Sequence, residues 1–308
     1  MNIEKIHKQI LTSKSLLFAT VFVFIAVRLY TTGNPLDNPS LWASLLIQIG
    51  IAFFLLRLNH IFNIIQGRTF LPTIFYLLLT GSNPVFYYDL KGSIAALCFV
   101  LCYYFLFCSY QKPKSQINAL NISLLLTLGS LLWTPALLLF PVIWLGFYRF
   151  QCLNARVFFA SLTGFAVVYL FIFTWSVFQG DRDVFLSLLP RFDRLFVIHK
   201  LDLTVLEWST CGFLIAIGCF VAIYLFLFDI SERVWTISAL NYFFFSTLMI
   251  FIFLFLQSKY KSSWGLIISI PIAFLVGHFF TRANKRSIRL LLFLFFLFFI
   301  GIGISTNL

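Results

Sequence analysis

Charge is what this chain has least of. Only 10% of its 308 residues are Asp, Glu, Lys or Arg. A soluble domain carries about 25–35% on its surface. Acids are the scarcer sign, 10 against 22 Lys and Arg. This scarcity excludes a charge-rich disordered chain and an ordinary solvated domain. Strands of alternating apolar and polar residues are missing too, which disfavours a transmembrane barrel. No Walker A loop, dinucleotide fingerprint, HExxH or nucleophile elbow occurs. An ATP-driven pump or a soluble-type hydrolase therefore has no motif to rest on. The six cysteines form no CxxC pair and none sits near a His in sequence. They read as small packing residues, and neither a metal site nor a cofactor is expected.

What fills the chain is apolar: 61% hydrophobic residues, with 42 Phe. Continuous runs of about 20 such residues cross a bilayer as helices. The sequence predicts an all-α, polytopic transmembrane bundle of about ten or eleven spans, one integral membrane domain over residues 1–308. The spans fall at 15–30, 41–56, 69–80, 92–109, 119–132, 134–148, 156–178, 205–228, 236–256, 264–280 and 288–305. Those at 69–80, 119–132 and 134–148 are short for a full crossing, and Pro72, Pro135 and Pro141 lie in or beside them. Each either recruits flanking residues or belongs to a broken element. The basic start and the apolar stretch from Leu16 to Val27 resemble a signal peptide without its small-x-small cleavage site, so the first span is read as uncleaved.

The net charge of +12 points to topology rather than to nucleic acid, because the basic residues sit between apolar runs. With the N-terminus inside, fourteen of them fall inside and seven outside, Arg28 lying within a span. The positive-inside rule then favours N-in and C-out. The long connection 179–204 is expected outside. Its middle, VFLSLLPRFDRLFVIHK, reads either as an interfacial amphipathic segment or as a polar loop over the bundle. The stretch from Arg57 to Arg68 either extends the second span or lies flat on the inner surface.

Ionisable groups inside spans are few. Arg28 is near the outer end of its span and is expected to snorkel. Glu207 and His278 also lie near span ends. Gln48 and Asn241 can be satisfied by a neighbouring helix. No row of Asp, Glu or His marks a proton relay. The outer surface is richer, with Asp37, Asp89, Asp181, Asp183, Asp193 and His199. Such carboxylates bind a divalent ion, act as a general base on a lipid-linked substrate, or simply solvate loops and shape turns.

Two resemblances follow from particular segments. LNHIFNIIQGRTFLPTIFYLLLTGSNP, LGSLLWTPALLLFPVIWLGFYRF with LNARVFFASLTGF, and IPIAFLVGHFFTRANKR are similar to an uncharacterised family of bacterial multi-pass membrane proteins, a domain of unknown function. Pro72, Pro84, Gly129, Pro135, Pro141, Arg156 and Gly164 hold that pattern. Ala155-Arg156-Val157 stands where members often have Trp-Arg-Glu. The resemblance implies a bacterial cytoplasmic (inner) membrane and no established activity. The second is in layout: Arg28-Leu29-Tyr30 before an outward loop with Asp37, then GSNPVFYYD, resembles the membrane half of GT-C glycosyltransferases, which move sugar from a polyprenyl-phosphate carrier. The chain departs from these enzymes in its short first outer loop and in Asn38 following Asp37.

The leading expectation is an integral membrane protein in cell-envelope assembly or scaffolding, with membrane lipids and envelope proteins as partners and no nucleic acid. The first alternative is a GT-C-like transferase acting on a lipid-linked sugar at the outer face. There Asp37 and Asp89 are the catalytic candidates, and Arg28, Arg191, Arg194 and His199 the binding candidates. Arginine suits phosphate because its planar fork pairs two oxygens. The second alternative is a transporter of lipid or apolar substrates.

Overall fold

Helices are the only regular structure in the described residues of the computed structural model. These are residues 14–31, 39–65, 69–81, 86–180 and 233–282, with Gly212 and Gly218. In chain order the helices are α1 (Lys14–Thr31), α2 (Pro39–Phe62), α3 (Leu71–Gly81), α4 (Leu90–Cys108), α5 (Gln116–Leu132), α6 (Leu139–Arg149), α7 (Ala155–Gln179), α8 (Val234–Leu256) and α9 (Lys261–Arg282). Five of them, α2, α4, α7, α8 and α9, are long and apolar enough to cross a membrane. At 1.5 Å per residue the 24 residues of α2 reach about 36 Å, against a hydrocarbon core of about 30 Å. Apart from Gly212 and Gly218, the expected span at 205–228 lies outside the described residues, as do the span at 288–305 and residues 181–204 of the long connection.

Local chemistry sets the boundaries. Asp89 caps α4, and Asn154 caps α7 through its side-chain oxygen on the Val157 amide at 2.9 Å. Gly180 closes α7 with φ of 74°, the left-handed turn that glycine adopts without a Cβ clash. Between α5 and α6 a short 3-10 turn runs over Thr134–Leu138, with Pro135 in its first positions. Pro141 sits in the first turn of α6, where its missing N–H has no intrahelical acceptor anyway. Over the described part of the 57–68 stretch, residues 57–65, extension is what is seen: α2 continues to Phe62 and stops at Asn63, whose φ is 46°. The three short spans stay short, at 11, 17 and 11 residues.

α9 is the hub. It packs on α3, α4 and α8, and 94% of its spanning window is buried. Its residues are apolar on every side, as a helix surrounded by helices must be. α7 is the opposite case, with 28% buried and Phe171, Trp175 and Phe178 exposed.

Contacts fix two ends. At the near end, where α1 begins, the Trp235 indole of α8 donates to the Phe62 carbonyl at 2.9 Å. The Phe107, Tyr110 and Phe150 rings surround that indole at 4.5–5.6 Å between centroids. This joins the ends of α2, α4 and α6 to the start of α8. At the far end the start of α4 meets the start of α9, and Trp133 after α5 lies 4.9 Å from Trp264. α5 and α7 run in the same direction, Ser123 facing Gly164 and Ser130 facing Tyr169. α7 therefore finishes at the far end while α8 starts at the near end.

Gly164 is where α5 and α7 touch most closely. A Cβ there would lie 1.8 Å from Ser123 Oγ and 2.9 Å from the Leu120 carbonyl. Gly164→Ala is expected to cost about 1–3 kcal/mol through overpacking and to lower the melting temperature of the purified protein. Gly50→Ala, with nothing within 4 Å of its new methyl, is expected to leave it unchanged or slightly raised.

Candidate functional site

A charge inside a bundle needs partners that the bundle itself supplies. Arg28 lies in the last turn of α1 and is 0% exposed. The expectation that it snorkels to the surface is therefore corrected: the side chain is buried, with Phe24, Gln48 and Tyr87 against it. Its guanidinium stacks on the Phe24 ring at 4.8 Å and on the Tyr87 ring at 4.4 Å, faces that attract a cation electrostatically. One guanidinium nitrogen donates to the Gln48 side-chain oxygen.

Gln48 is the junction, and a neighbouring helix satisfies it as its position in an apolar run requires. Its amide nitrogen donates to the Phe86 carbonyl and to Ser93 Oγ, each at 3.1 Å. Ser93 Oγ donates in turn to the Asp89 carbonyl at 2.8 Å. The fold thus brings two of the six sequence candidates, Arg28 and Asp89, into one chain of hydrogen bonds. Tyr87 secures the same region by donating from its hydroxyl to the Gly81 carbonyl at the end of α3.

Asp89 is half-buried at the start of α4. One carboxylate oxygen accepts from the Gly92 amide at 2.8 Å. The other accepts from Ser262 Oγ at 2.7 Å and Ser263 Oγ at 2.5 Å, in the first turn of α9. Gly92 permits this approach. A Cβ there would lie 2.4 Å from the carboxylate and 2.8 Å from the Ser263 backbone. The result is a polar clasp across α1, α2, α4 and α9. Beside it, Trp133, Tyr260, Phe253 and Trp264 form an aromatic group at the same end.

Sequence reasoning missed Ser93, Ser262 and Ser263. The available signal was weak: Ser93 stands one helical turn after Asp89, and the serine pair follows the charged Lys259–Lys261 segment. Asp37, Arg191, Arg194 and His199 lie outside the described residues, as do Asp181, Asp183, Asp193 and Glu207. His278 is buried near the end of α9, at the other end of the bundle. Cys98, Cys102, Cys108 and Cys152 are free thiols. Cys152 lies in the α6–α7 loop, and burial pushes its thiol up to about 11, which leaves it little thiolate at neutral pH.

No family model, curated protein or solved structure matches the chain.

Chemically, the clasp holds a cation in an apolar setting, orients it with two aromatic faces and an amide, and engages both oxygens of a carboxylate. Gln48→Leu removes the acceptor of a buried cation and the amide donor to Phe86 and Ser93. It is expected to cost about 1–3 kcal/mol or more, seen as a lower denaturation midpoint in mild detergent. Asp89→Ala is expected to cost about 1 kcal/mol for the α4 cap alone, with a further loss from the two serine bonds. An unchanged midpoint for both variants would show that the clasp contributes nothing to stability.

Proposed function

We propose that the protein is a multi-pass component of the bacterial cytoplasmic membrane, N-in and C-out, that serves envelope assembly or scaffolding through its outward end. The observation that carries this reading is the clasp. Among the described residues, Gln48, Ser93, Asp89, Ser262 and Ser263 tie α2, α4 and α9 together at that end, which supports a platform for partners. Apolar helices of spanning length support membrane residence. The resemblance to the bacterial family of unknown function points to the same compartment.

Charge supports the orientation. Arg57, Lys112, Lys114, Arg149, Arg156 and Arg233 belong to the near end, and Lys91, Lys259 and Lys261 to the far end. The positive-inside rule makes the near end cytoplasmic. α7 finishes at the far end and α8 starts at the near end, and we place a crossing at 205–228 between them. In a variant lacking the six cysteines, a membrane-impermeant maleimide is expected to label a cysteine introduced at Lys259 in intact cells, and one at Lys112 only after permeabilisation. The reverse pattern would invert the protein and remove the outer-face reading.

A second reading has an observation of its own. Arg28 and Asp89 share the end from which the loop carrying Asp37 departs, and that layout is the one that resembles GT-C glycosyltransferases. Profiles of lipid-linked sugars separate the two. For a scaffold, strains restored with wild type or Asp37→Asn are indistinguishable, and crosslinking recovers a stable envelope partner. For a transferase, the same lipid-linked intermediate accumulates in the deletion and in the Asp37→Asn strain, at unchanged protein level.

A further inference from the structure

At the near end two loops are tied into one surface. The α4–α5 loop and the α6–α7 loop meet through the Gln111 amide donating to the Phe150 carbonyl at 3.1 Å, and through Asn154 Nδ2 donating to the Pro113 carbonyl at 2.9 Å. Asn154 also caps α7, so one side chain positions both the helix and the neighbouring loop. Gln111 and Gln151 turn the chain with φ of 54° and 56°.

Four cations project from it. Lys112 and Lys114 flank Pro113, Arg149 ends α6, and Arg156 opens α7; all four are exposed. The Arg149 guanidinium lies 4.3 Å from the centre of the Phe245 ring on α8, which holds one cation against the apolar wall. Tyr148 at 70% and Leu153 at 39% exposure stand beside them, the mixture found where a membrane surface begins. No Asp or Glu occurs between Asp89 and Asp181. The two loops and the helices that bear them thus supply no counter-charge of their own. Arg233 nearby is different, since Glu232 precedes it directly.

We propose that this clasped pair of loops is a docking site for the phosphodiester headgroup of an anionic phospholipid. Four exposed cations with no acid beside them in sequence, next to exposed Tyr148 and the apolar wall of α8, fit a lipid that carries charge and tail together. An acidic soluble protein would match the charge and would leave Tyr148, Leu153 and the wall unused. The site is separate from the outward clasp and does not depend on the function proposed for it.

The test uses full-length protein in a mild detergent, titrated with phosphatidylglycerol or phosphatidylcholine and read by native mass spectrometry. Wild type is expected to retain phosphatidylglycerol in preference to phosphatidylcholine, with retention falling as salt rises. Arg149→Gln with Arg156→Gln is expected to weaken that retention about fivefold per cation removed, as is Lys112→Gln with Lys114→Gln. Lys259→Gln at the other end is expected to change nothing. All these side chains are exposed, and circular dichroism checks that the variants keep their helices. Equal retention of the two lipids by wild type, or equal retention by wild type and both double variants, would overturn the proposal. So would retention of an acidic peptide in place of the lipid.

Discussion

Arg28 is a cation buried in an apolar interior, and the contacts around it tie α1 to α2 and to the chain just before α4. A cation in an apolar interior is tolerated only when rings and dipoles replace its hydration. Here Phe24 and Tyr87 supply the faces and Gln48 supplies an acceptor. Gln48 on α2 reaches Arg28 although the backbone of α1 packs on α3. Its amide then fixes the Phe86 carbonyl and Ser93. Asp89 extends the restraint to α9. In a lipid environment helices gain little from apolar burial against one another, so such bonds and close backbone contacts carry their positions.

Much of the helical layout was legible in the residues, because a bilayer imposes one length and one satisfiable backbone. Runs such as 41–56 and 236–256 reappear as α2 and α8 with modest extensions. The exception, residues 57–62, stayed ambiguous because Arg57, Asn59 and His60 lower the local hydropathy. The structure continues the helix and satisfies Asn59 inside, on the Ile65 amide and the Thr69 carbonyl. The site was less legible. Arg28 and Asp89 could be nominated as ionisable groups near span ends. Nothing in the sequence says that Gln48 joins them, since that contact is set by helix packing. The serines of the clasp look like ordinary small residues in apolar segments. Arg28 was misread as snorkelling because position along a span does not reveal which side of the helix faces neighbours.

The two ends of the bundle use polar chemistry differently. At the far end Gln48, Ser93, Asp89 and the Ser262–Ser263 pair bind helix to helix. At the near end an aromatic group around Trp235 seals the interior, and cations stand outside it. Central α9 connects the two, held by Asp89 at its start and by close packing of Gly277 on Pro72 near its finish. Among the described helices of spanning length, α7, with its exposed aromatic face, is the least buried.

The most direct test is a structure of the protein in lipid nanodiscs that resolves the Arg28 side chain. The account predicts a guanidinium held between Phe24 and Tyr87, with Gln48 as acceptor and Ser93 behind it. A side chain extended into the headgroup layer, with Gln48 turned to other partners, would contradict it.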